Sequence, residues 1–87
     1  MYYYVYRIDV EDGHYYIGSH MSKEINNKYI GSGSIRPFLF AHPNMKYTKT
    51  ILSYYNNRQD AFQAEYKEIV EHKNDKMLLN KVRNYNI

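Results

Sequence analysis

Glu11-Asp12-Gly13-His14 separates two short runs of alternating residues, and that arrangement constrains the chain more than any other feature. Asp-Gly between alternating apolar segments is a strong local signal for a tight β-hairpin. Residues 2–10 and 14–18 are therefore expected to be two antiparallel strands. In the first strand Tyr2, Tyr4, Tyr6, Ile8 and Val10 share one face, which is apolar throughout and should meet the core. Tyr3, Val5, Arg7 and Asp9 form the other, wetter face. The return strand places Tyr16 and Gly18 opposite to Tyr15 and Ile17, and a glycine near a strand end marks close approach of a backbone or ligand. The turn brings Tyr6 near Tyr16. Such a phenol pair serves as core, as a stacking platform or as a proton-transfer site.

The remaining chain supplies partners for this hairpin. Ser19 to Ser34 has no period and reads as a long surface loop containing Tyr29-Ile30 and Gly31-Ser32-Gly33-Ser34. The glycine-serine stretch suits either a phosphate held on backbone N–H groups or a plain flexible helix start. Ser34 is placed to cap a short helix to about His42, with Pro37 in its first turn and Ile35, Phe38, Leu39 and Phe40 as its apolar set. Lys46 to Tyr55 is rich in β-branched residues and reads as a third strand. Asn57, with Asp60 three residues on, opens a helix to about His72 that carries Phe62, Tyr66, Ile69 and Val70 at helical spacing. A short basic tail follows, anchored by Leu78-Leu79.

Composition narrows the class. Eighty-seven residues are expected to make one small domain with a single modest core, spanning 1–87 with no separate DNA-binding domain. No apolar run approaches the ~18 residues of a membrane span, and no signal peptide pattern is present, so neither secretion nor membrane insertion is expected. Zero cysteines exclude disulfides and thiolate zinc sites and fit a reducing cytoplasm. A net charge of +3 is too mild to argue for nucleic acid alone. Tyrosine supplies 12 of the 15 aromatic residues. That bias fits A/T-rich codons and strand propensity, or else wet aromatic faces for stacking bases.

One residue is out of place. Glu65 lies three after Phe62 and four before Ile69, on the apolar stripe of its helix, whereas Glu68 and Glu71 fall off it and read as solvated. An inward carboxylate must be paired, hydrogen-bonded or bound to a cation. Glu65 either sits at the rim and pairs with a strand lysine, or holds one Mg²⁺ together with substrate phosphate. Asp9, Glu11 and Asp12 belong to turn chemistry, and the four histidines lack the spacing of a metal cluster. Neither dinucleotide nor P-loop glycine patterns occur.

Tyr4-Val5-Tyr6, then Tyr16-Ile17-Gly18, then Glu65 in a helix, then Asn80, resembles the GIY-YIG nucleases in order and spacing. Tyr15 to His20 followed by Tyr29-Ile30-Gly31-Ser32-Gly33 is similar, more narrowly, to free-standing phage homing endonucleases of the Seg type. The likeness spans nearly the whole chain. It implies an α+β fold, a small three-stranded antiparallel sheet flanked by helices. It also implies hydrolysis of DNA phosphodiester bonds with Mg²⁺ or another divalent ion, in the cytoplasm of a host cell. Glu65 would be the metal ligand, Tyr6 the general base, Tyr16 a positioning group for water or phosphate, and Asn80 a residue that holds the site together or contacts substrate. An unperturbed phenol titrates near 10, so the role given to Tyr6 needs a nearby cation.

Three departures accompany the likeness. Tyr4 stands where the family has a glycine, the hairpin is one residue shorter, and the family's arginine just after the second motif has no counterpart. His20 or Arg36 is the residue left to stabilise the phosphate. Sequence specificity would come from the chain's own loops, a homodimer or a partner protein. The competing expectation is a non-catalytic nucleic-acid-binding or protein-interaction module on a decayed nuclease fold.

Overall fold

The structure, a computed structural model, describes residues 1–24, 27–31 and 33–81. Five elements follow one another as β1 (Tyr2–Val10), β2 (Tyr15–Ser22), α1 (Ile35–Ala41), β3 (Tyr47–Tyr55) and α2 (Arg58–Glu71). The strands form one antiparallel sheet in the order β2-β1-β3, so the fold is α+β with β1 in the middle.

The β1–β2 turn forms where Asp12-Gly13 demands it. Gly13 has a φ of 100°, and the Asp12 carboxylate accepts the His14 backbone N–H at 3.0 Å. Strand β2 runs four residues beyond the predicted end, to Ser22. Its polar second half pairs because Tyr2 to Val5 of β1 would otherwise leave backbone groups open on that side, and Tyr2 lies opposite Ser22. Backbone pairing outweighs polar composition here.

Both faces of β1 are covered. Tyr4, Tyr6, Ile8 and Val10 are buried against Ile35 of α1, with Phe38, Leu39 and Ile51 packed around them. Across the sheet Val5, Tyr15, Ile17 and Ile69 of α2 make a second cluster, joined by Ala64 and Leu78. The second face is thus wet only at its far end, where Arg7 pairs with Asp9 at 2.8 Å and lies over the Tyr15 ring. A bulge at Leu52, between the Tyr6–Ile51 and Val5–Ser53 pairs, reverses the alternation of β3. Ile51 thereby serves the first cluster and Tyr55 the second.

The helices depart from expectation in detail. Ser34 does not cap α1, because it already has helical dihedrals and its side chain makes no cap bond. Phe40 is 89% exposed, on the side of α1 away from Ile35. Asn57 does cap α2, its Oδ1 accepting the Asp60 N–H at 2.8 Å. The buried stripe of α2 is rotated from the predicted one, with Ala61 and Ile69 inside and Phe62 62% exposed. Alanine lets the helix approach the sheet closely, and Phe62 is turned to the rim. Glu68 is half-buried rather than solvated, while Glu71 is exposed as expected. Asn26, Ser32 and the end of the basic tail lie outside the described residues.

Candidate active site at the open edge of β2

Strand β2 is an edge strand, and the chain covers its outward backbone groups one pair at a time. Tyr15 donates to Met77 O at 3.0 Å and accepts from Leu79 N–H at 2.8 Å. Two residues on, the Asn80 side-chain amide imitates a strand partner: Ile17 N–H donates to its Oδ1 at 2.9 Å, and its Nδ2 donates to Ile17 O at 2.8 Å. At Ser19 the backbone N–H and hydroxyl face the Glu65 carboxylate. The edge then opens into a cleft of about 350 Å³.

Tyrosines enter this cleft from the α1 side of the sheet. Gly18 lies opposite Tyr6, and the ring of Tyr6 passes directly over it, where a Cβ would overlap the phenol oxygen. Gly31, at a φ of 109°, presses on the same pair, since a Cβ there would lie 2.8 Å from the Tyr6 hydroxyl and 2.9 Å from the Tyr16 ring. At Gly33 a Cβ would come within 3.0 Å of the Tyr16 hydroxyl. Three of the chain's four glycines therefore make room for these two phenols. The rings stand 6.4 Å apart. Tyr29 meets Tyr6 edge-on at 6.2 Å and stacks on His20 at 3.7 Å.

From the opposite side α2 contributes Arg58, Ala61, Phe62 and Glu65, which share one helix face. Burial raises the proton affinity of Glu65 above the ordinary carboxylate range, and the Ser19 contacts partly offset that effect. Glu65 makes no ion pair with a strand lysine among the described residues. The Tyr6 hydroxyl is pushed far above its usual value, first by burial and then by Tyr16, Tyr29 and Glu65. His20 is pushed below 6.5 by burial and by Lys49, whose Nζ lies 5.2 Å from the Tyr4 and Tyr6 ring centres.

Four of the six predicted site residues, Tyr6, Tyr16, His20 and Glu65, thus line one cleft. The other two do not. Asn80 holds the β2 edge, and Arg36 lines a separate apolar depression beside Pro37 and Phe40, its Nε donating to Gly31 O. Burial and, after it, the charge of Lys49 both disfavour the charged form of His20. Arg58 also lines the cleft, and the signal for it in the sequence is its position seven residues before Glu65, which puts both on one helix face. Tyr29 lies in the long loop as expected and its ring reaches the cleft, and the alternation of Lys49 with Ile51 marks Lys49 as an inward position.

No family model matches the chain, and neither a curated protein nor a solved structure matches it at a significant level. No described helix is long and apolar enough to cross a membrane.

Proposed function

We propose that this chain is a metal-dependent DNA endonuclease of the GIY-YIG type, hydrolysing phosphodiester bonds in the cleft at the β2 edge. The observation that carries the reading is convergence. Tyr6 and Tyr16 from one side of the sheet and Glu65 from the other meet in a single cleft. Glycine backbone fixes the phenols, and a strand-edge serine faces the carboxylate. A domain that needed only stability would have no use for a half-buried carboxylate there.

The donor set fits a divalent ion completed by substrate. The described residues hold no group of three or more histidine, aspartate or glutamate side chains able to bind a metal, and Glu65 is the one carboxylate among the described residues that line the cleft. Mg²⁺ commonly takes one or two carboxylates and fills its remaining positions with water and phosphate. Bound at Glu65, it would supply charge stabilisation at the phosphoryl oxygens. The Tyr6 and Tyr16 hydroxyls orient the attacking water and the phosphate by hydrogen bonds. The water oxygen bonds to phosphorus as the P–O bond to the leaving nucleotide breaks. The water proton passes to a base on the chain, and the leaving oxygen takes a proton from solvent.

Tyr6 acts as that base only when added positive charge offsets its burial. A second reading is favoured by the opposite shifts of two neighbours. His20 lines the same cleft in a form able to accept a proton at neutral pH, while Tyr6 is held as a donor. Either way the reaction class is unchanged.

Relaxation of supercoiled plasmid at low salt tests the function. Nicked or linear product with Mg²⁺ and none with EDTA is the expected result. Retention of intact DNA under both conditions would favour a binding module instead.

A further inference from the structure

The cleft has one permanent cation among its described lining residues, and it is Arg58. Arg7 is committed to Asp9 and the Tyr15 ring, and Arg36 to Gly31 O. Arg58 makes no ion pair among the described residues. Seven residues separate it from Glu65, about 10 Å along the α2 axis, or roughly one Debye length at physiological salt. The two side chains line one cleft and make no ion pair with each other. Between them, one turn beyond Arg58, stands Phe62, 62% exposed where the helical pattern predicts burial. A cation and an open aromatic ring on successive turns of a cleft wall are the elements of single-strand binding, in which the cation follows the backbone and a base stacks on the ring.

We infer that Arg58 and Phe62 form a strand-holding rim, Arg58 gripping a phosphate and Phe62 stacking an unpaired base, so that the cleft takes single-stranded or locally opened DNA. The inference rests on the nuclease reading for its choice of DNA. It adds what that reading lacks, the residue that takes the place of the absent arginine and the conformation of substrate admitted. Stacking on Phe62 requires a base free of its neighbours, which a closed duplex does not offer.

The experiment is fluorescence anisotropy of a labelled oligothymidylate and of a duplex of equal length, in EDTA so that no cleavage intervenes, over a range of salt. Wild type should bind the single strand more tightly. Phe62→Ala should weaken single-strand binding by about 5- to 150-fold, the range for loss of one aromatic stacking partner. Arg58→Gln should reduce the slope of log affinity against log salt by about 0.7, as expected for one phosphate contact on a single strand, with Arg58→Lys restoring it and Arg36→Gln leaving it unchanged. Both rim residues are exposed, so melting temperatures should not move. Wild-type affinity in both variants, or equal affinity for duplex and single strand, overturns the rim. Cleavage is scored separately with Mg²⁺. A chain that cuts DNA without these effects keeps the nuclease reading and loses the rim, and one that shows them without cutting does the reverse.

Discussion

Replacing Asn80 separates a structural clamp from a substrate contact. Its two bonds to Ile17, at 2.9 and 2.8 Å, satisfy both outward backbone groups of a fully buried core residue. Each neutral hydrogen bond contributes about 0.5–1.5 kcal/mol, and an abandoned buried partner costs about 1–3 kcal/mol. Water can reach a strand edge, so the low end applies, and Asn80→Ala should lose about 2 kcal/mol. For a domain of this size that lowers the melting temperature by roughly 8–16 °C. Asn80→Asp should lose at least as much, because the carboxylate still accepts from Ile17 N–H but faces Ile17 O with a charge instead of a donor. Thermal melting by circular dichroism reads the loss, and faster amide exchange at Ile17 locates it. An Asn80→Ala protein that melts within about 2 °C of wild type but binds DNA poorly would refute the clamp and make Asn80 a substrate contact.

Other consequences follow from the same cleft. Gly18→Ala puts a methyl group into the Tyr6 phenol and should cost about 1–3 kcal/mol in denaturant unfolding. The cost should shrink in a Tyr6→Phe background, and strict additivity would deny the contact. Because Glu65 holds its proton more tightly when folded, stability should fall as pH rises from about 4.5 through the raised value. Glu65→Gln should abolish that fall, which is readable from urea midpoints across pH. The shift at His20 has the opposite sign for a base. The unfolded chain binds the proton first, so this stabilisation is complete above 6.5 and is lost as pH drops through the lowered value. If His20 accepts the water proton, cleavage should fall over that same window. A rate still climbing above pH 8 points to Tyr6.

The hairpin, the two tyrosines and Glu65 were legible because they rest on local chemistry: an Asp-Gly turn, strand alternation and a charge at an apolar helical position. What escaped the sequence depends on how elements meet. The second half of β2 is polar and becomes strand only because β1 offers backbone partners. Phe62 reads as core by spacing, yet the alanines at 61 and 64 set the rotation of α2 and send it to the rim. Arg36 stands in the sequence as a candidate for the charge of the missing family arginine, but α1 carries it to another depression. Asn80 stands far from Ile17 in the chain, and no local pattern announces that its amide closes a strand edge.

The most direct test of the central claim is DNA cleavage by Glu65→Gln and Tyr6→Phe beside wild type, in Mg²⁺, with DNA affinity measured on the same samples. Loss of cleavage in both variants, with binding and melting temperature retained, is the predicted result. Cleavage at the wild-type rate by Glu65→Gln would contradict it, and the chemistry would then lie outside the β2 edge.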